Sequence, residues 1–135
     1  MIENIVLKAL KADSELAELT GGKIYPNVAQ TEALPVVIMT SDEPTNPTND
    51  PFYYTQNLTF EIYAKTERSA QDIRNRLYTI LNRFDNYFQN DLAKTGIIIR
   101  EAHAVYASVS NHFHIENEQA RERAVSFDFK YTKCA

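Results

Sequence analysis

Cysteine is all but missing from this chain. Cys134 is the only one in 135 residues, so no internal disulfide can form and the fold owes nothing to oxidation. Glycine and proline are also scarce, at three and five residues, which excludes collagen-like and low-complexity character. A basic surplus is lacking as well. Fourteen Lys and Arg against eighteen Asp and Glu leave a formal net charge of -4, the wrong sign for a generic electrostatic grip on nucleic acid. No long apolar run exists. The longest, Leu34 to Met39, includes Pro35 and falls far below the ~20 residues that span a bilayer. Met1-Ile2-Glu3-Asn4 has neither a basic region nor a small-residue cleavage site, so no secretory signal is read. What is present is ordinary for a soluble globular protein: 44% hydrophobic and 24% charged residues in a length that suits one domain, residues 1–135.

Periodicity assigns the elements. Ile2, Ile5, Val6, Ala9 and Leu10 share a helical face. Asp13 or Ser14 can cap a second short helical turn, Glu15 to Leu19, which Gly21-Gly22 ends. Lys23-Ile24-Tyr25 is extended, and Leu34 to Ser41 reads as a buried strand with Pro35 among its first residues. Asp42 to Pro51, with three prolines and two asparagines, is expected to be a poorly ordered loop. Phe52 to Lys65 alternates as a long strand with Leu58, Phe60, Ile62 and Ala64 on one side. Thr66 or Ser69 opens the main helix, whose stripe is Ile73, Leu77, Ile80, Leu81 and Phe84, with Tyr87 and Phe88 at its exit and Asp72 placed to pair with Arg76. Thr95 to Ser108 and Gln119 to Thr132 form a late strand pair around a polar connection, Val109 to Glu118. The order predicts an α+β fold: an antiparallel-rich mixed sheet of four to five strands, two main helices packed against it, and long β-hairpin arms. A strand from Thr95 to Ser108 would extend about 47 Å, more than the roughly 37 Å diameter of a compact domain of this size, so the hairpin must curl, bulge or project.

Few residues suggest chemistry. His112 and His114 could share one ion on a strand, but zinc asks for three or four ligands and no third His or Cys stands nearby. Gly21-Gly22-Lys23 lacks the spacing of a phosphate-binding loop and follows a helix. Glu101 and His103 share a strand face, yet no nucleophile motif accompanies them. Asn57-Leu58-Thr59 matches a glycosylation pattern in mid-strand and is discounted. Arginines 68, 74, 76 and 83 share their helix with Asp72 and Asp85, which reads as a solvated face. No catalytic residue, cofactor or metal is therefore expected. Tyr53, Tyr54, Tyr63 and Tyr106 are aromatic residues with polar tips, a composition typical of interface cores, and Tyr63 and Tyr106 stand where a soluble sheet usually places polar groups. With His112, Phe113 and His114 of the arm, and Arg121 and Arg123 taken as solvent-facing, Tyr53, Tyr63 and Tyr106 form the expected oligomer or partner surface.

The sequence resembles the phage and prophage tail-completion proteins of long-tailed phages, also called tail terminators or tail-to-head joining proteins. The resemblance lies in "SELAELTGGKIYPNVAQTEALPVVIMTS", where a short helix meets Gly-Gly and then a Leu-Pro strand, and in "LTFEIYAKT" leading into "ERSAQDIRNRLYTILNRF" before a late β pair. It covers nearly the whole chain in element order. The Pro-rich stretch at 42–51 departs from the pattern. The resemblance implies a non-enzymatic structural protein of the virion tail, assembled in the host bacterial cytoplasm. It implies a homo-oligomer, a hexameric ring at the head-proximal end of the tail tube, that stops tube growth and offers a surface to the head connector or stopper protein. It implies neither a membrane partner nor specific nucleic-acid binding. Two other readings remain: another head–tail joining component, or a small ligand-binding or enzymatic α+β domain using Glu101, His103 and the His112/His114 segment.

Overall fold

The structure, a computed structural model, describes residues 2–27, 34–46, 53–81, 97–115 and 118–133, and within these it gives only the main-chain path of 98–101, 103–115, 118–122 and 132–133. Two helices come first, α1 (Glu3–Ala12) and α2 (Ser14–Thr20), then strands β1 (Ile24–Pro26), β2 (Val36–Ser41) and β3 (Tyr53–Ala64). Helix α3 (Glu67–Leu81) and strands β4 (Ile97–Ile115) and β5 (Glu118–Lys133) complete the chain. The sheet has five strands in the order β1-β2-β3-β5-β4. β1 pairs parallel with β2, and every other neighbour is antiparallel. This is the α+β, antiparallel-rich mixed sheet that the patterning predicts.

Local signals set the element ends. Asp13 caps α2 by accepting from the Leu16 amide at 2.8 Å, and Gly21 closes it at φ 64°, a left-handed conformation that disfavours a Cβ. Thr66 Oγ1 accepts from the Ser69 amide at 3.1 Å and caps α3. β2 begins at Val36, directly after Pro35, where the missing N–H costs the ladder nothing.

One face of the sheet carries the core. The even residues of β3, Leu58, Phe60, Ile62 and Ala64, lie beside Val37 and Met39 of β2 and Val125, Phe127, Phe129 and Tyr131 of β5, all buried. Onto this layer α3 sets Ala70, Ile73, Leu77, Ile80 and Leu81, while Ile5, Val6, Leu10 and Leu16 of α1 and α2 join the same cluster. The Phe127 ring sits at its centre, edge-on to Phe60 at 5.9 Å and to Tyr78 at 5.5 Å. Phe84, Tyr87 and Phe88, expected to prolong the α3 stripe, lie outside the described residues.

One expectation needs correction. Val109 to Glu118 is not a polar connection: β4 runs on to Ile115 and β5 starts at Glu118, paired through Phe113↔Ala120, His114↔Gln119 and Ile115↔Glu118. Val109, Phe113 and Ile115 are strand formers, and pairing lets the two strands satisfy each other's main chains. Residues 42–46 form the expected loop, anchored to β3 by one isolated bridge. The Asp42 amide donates to the Asn57 carbonyl at 3.0 Å, and Thr45 and Thr55 exchange both main-chain bonds at 2.8 Å; residues 47–51 lie outside the described residues.

The core geometry yields two expected outcomes, both read by urea unfolding. Phe127→Ala empties a fully buried site and should cost about 3–5 kcal/mol. Gly21→Ala should cost about 1 kcal/mol, with little change in the slope of the transition.

Candidate assembly surfaces

The polar groups at the rims of the core act as clamps. At one end, Glu3 of α1 accepts from Ser41 Oγ at 3.0 Å and from Gln56 Nε2 at 2.6 Å. Tyr131 Oη in turn donates to Gln56 Oε1 at 3.2 Å. Gln56 and Tyr131 are buried, so this chain of bonds ties α1 to β2, β3 and β5 through an otherwise apolar layer. Burial by itself would raise the Glu3 pKa; hydrogen bonds outweigh it, those of its own backbone, Gln56 and Ser41 among them, and bring it from 4.5 to about 2. Tyr131 moves the other way, to about 12, through burial first and then the Glu3 charge and Tyr54, whose ring stacks on it at 5.6 Å.

At the helical side, Arg76 of α3 grips α2. Its guanidinium bonds both Asp13 carboxylate oxygens, at 3.0 and 2.6 Å, and reaches Glu15 at 2.9 Å. Asp13 therefore caps α2 and fastens it to α3 with the same carboxylate. The Arg76 hydrogen bond is the main cause that holds its pKa below the usual value against the opposing effect of burial. The sequence pattern offers Asp72 as the Arg76 partner; the tertiary fold supplies Asp13 and Glu15. Beside this clamp lies an open hollow of about 310 Å³ lined by Glu15, Leu19, Asp72, Asn75, Arg76 and Thr79.

The expected partner-surface residues separate in the structure. Arg123 is corrected from solvent-facing to buried, at 8% exposure. It stands opposite Ile62 on the core face and pairs with Glu67 in the first turn of α3, where the helix dipole also favours the carboxylate. Tyr63 is 7% exposed, covered within the chain itself, and its hydroxyl donates to Glu61 Oε2 at 2.7 Å. Tyr53 opens β3, part-exposed. Tyr106, His112, Phe113 and His114 fall in β4 and Arg121 in β5, and their side chains lie outside what the structure describes. Among the described residues no three His, Cys, Asp or Glu side chains gather in a way that could hold a metal. No described helix is long and apolar enough to cross a membrane.

The second face of the sheet is polar and partly exposed at Asn57, Thr59 and Asp128. On that face Thr59 meets Ser126 at 2.8 Å and Asn57 donates to Asp128 at 2.9 Å, with Thr40 and Lys130 beside them, part-exposed. Such polar cross-strand pairs satisfy one another and suit a solvated or wet surface. The β4–β5 ribbon outruns the sheet. β3 ends its pairing at Ala64↔Arg121, so among the described strands residues 118–120 of β5 pair with β4 alone and reach about 10 Å further. β4 carries three bulges, between Ile99 and Glu101, Ala104 and Tyr106, and Ser110 and Phe113; each adds twist and bend. The hairpin too long for the domain thus both bulges and projects.

No protein-family model matches the chain, and no curated protein matches it in sequence. Its fold is shared by a solved chain of the virion of a native gene transfer agent particle, with a TM-score of 0.69 at 13% identity, over 94% of this chain and 91% of that one.

Two outcomes are expected of the clamps. Because Glu3 has a depressed pKa, its stabilisation is whole above pH 4.5 and is lost as the pH falls toward about 2. Urea midpoints at pH 6 and pH 3 should therefore drop further in the parent than in Glu3→Gln; equal drops would contradict the clamp. Arg123→Glu sets two carboxylates together in a buried place and should destabilise by about 3–5 kcal/mol, with Arg123→Met milder. A melt unchanged in Arg123→Glu would show the side chain to be free.

Proposed function

We propose that this chain is a phage-type virion protein, a tail terminator. In this reading copies form a hexameric ring at the head-proximal end of the tail tube, stop its polymerisation and join it to the head connector. The observation that carries the reading is the fold, shared along nearly its whole length with a chain of a gene transfer agent virion. The element order of the tail-completion proteins points the same way: helix, Gly-Gly turn, Leu-Pro strand, long strand, long helix and late β pair. Supporting it physically are a projecting two-stranded ribbon and an acidic balance of charge. A bare ribbon is marginal in water alone and gains from a neighbour's surface. In this reading the protein works without catalysis or cofactor, its side-chain clamps holding helices to the sheet.

A ring with one rim for the tube and another for the connector needs heterologous contacts, one surface of each copy on a different surface of the next. The second reading, a connector or stopper component, makes the same ring but joins the capsid side first. Deleting the gene in the phage and imaging the particles separates them. Overlong tails with unjoined heads are the expected result. Correct-length tails without heads would move the protein to the connector side, and normal joined particles would end both readings. Native mass spectrometry should show a six-fold species.

A further inference from the structure

The two edges of the sheet are built differently, and the difference suits a molecule that ends a polymer. At the β1 edge the Val37 amide donates to the Lys23 carbonyl at 3.0 Å and the Asn27 amide to the Met39 carbonyl at 2.9 Å. Alternation along the strand then turns the main-chain groups of Ile24 and Pro26 outward. The Ile24 amide is already taken by the Gly22 carbonyl at 3.1 Å, and proline has none to give. This three-residue edge therefore offers an incoming strand no donor. The β4 edge is the reverse. It runs nineteen residues and, among the described residues, has a strand neighbour, β5, on one side only. Its bulges divide it into short stretches, the longest uninterrupted one being Tyr106 to Ser110, opposite Ser126 to Glu122. Alternate residues of that stretch turn an amide and a carbonyl away from β5.

The geometry points to the Tyr106–Ser110 edge of β4 as the place where an extended strand of the last tail-tube subunit adds to this sheet, capping the tube by main-chain pairing. This rests on the terminator reading. A second copy does not fit the edge in such a ring. The next copy's β1 edge lacks donors, and pairing β4 with β4 is two-fold, which would make the two rims alike. The tube end fits better than the connector. A polymer that grows by one repeated contact presents that contact unsatisfied at its tip. A stopper has to fill it and offer no copy of it in return. A sheet open at β4 and closed at β1 accepts one strand and passes none on. Strand addition also reads main chain more than side chains, which suits recognition of a polymer end.

The test uses the full chain, its Ser108→Pro and Val109→Pro variants, and tail tubes purified from particles lacking this protein. Adjacent residues point to opposite sides of a strand, so one proline removes an outward amide and the other breaks the β5 ladder. The variant that melts like the parent is the informative one. It should still form rings in native mass spectrometry, yet co-sediment with tubes at least tenfold less. In the parent, hydrogen exchange of alternate amides between 106 and 110 should slow at least tenfold when tubes are added. Undiminished co-sedimentation of the parent-like variant would overturn the proposal, as would no slowing with tubes, slowing already complete in the free ring, or slowing with connectors alone. A parent that forms no ring and ignores tubes would sink the terminator reading itself. A parent that rings and binds tubes while these amides stay fast would sink only the edge.

Discussion

One apolar layer decides where everything else goes. The α3 stripe, Ala70, Ile73, Leu77, Ile80 and Leu81, lies on Leu58, Phe60, Ile62, Val125 and Phe127. Burying a large aliphatic or aromatic side chain contributes roughly 1.5–3 kcal/mol, so shifting this contact by one residue along β3 would exchange its apolar side for Asn57, Thr59 and Glu61. That fixes the register of β3 against both β2 and β5. The polar groups at the margins of the layer follow from it. Arg123 shares the face of Ile62 and ends under the first turn of α3. Asp13 and Arg76 meet where α2 leans on α3. Each is a charge carried near an apolar core by geometry, and each has an opposite charge beside it, which is what makes such burial tolerable.

The sequence reveals this layer well and its margins poorly. Period-two alternation in Leu58–Ala64 and Val125–Tyr131, and the three-four spacing of Ile73–Leu81, are local signals, and they locate both the strands and the helix. The capping roles of Asp13, Thr66 and Gly21 are local too. The Arg123 pair is not. Read along β5, Arg123 sits among Arg121 and Glu122 and resembles a solvated charge, and its burial and its partner Glu67, fifty-six residues earlier, come from the tertiary fold. Arg76 behaves likewise, since Asp72 is its neighbour in sequence and Asp13 its partner in space. Tyr63 stands on the outer face as the alternation requires, but its burial depends on what the chain places over it. The turn of residues 109–115 into strand was hidden by their polar composition. Ser, Asn and His lower β propensity one by one, while a ladder with β5 outweighs them together.

With two faces and two edges, the sheet has four places at which to meet other molecules, and they are not equivalent. The core face is covered by helices. The β1 edge is spent on a Gly22 carbonyl and a proline. The second face is laced by Thr59–Ser126 and Asn57–Asp128 bonds, so a partner there would compete with contacts already made and would gain little from each hydrogen bond. Among the described residues, the β4 edge and the ribbon beyond Ala64 are the parts of the sheet with a strand neighbour on one side only.

That asymmetry bears on how an assembly of such chains ends. A sheet with two good edges propagates, because every added copy restores the edge it consumes. A sheet with two blunt edges joins by side chains alone. One good edge and one blunt edge allow a single addition and then no more. The bulges in β4 sharpen the limit: between Ala104 and Tyr106 and again between Ser110 and Phe113 the register slips, so a visiting strand finds a short matched stretch and bends away at both ends. A short stretch gives modest affinity per copy. In the proposed hexameric ring six such stretches would be presented at once, and multivalency would then supply the strength that a single edge lacks. On this account weak pairing in each chain and firm capping by the ring are consequences of the same bulged strand.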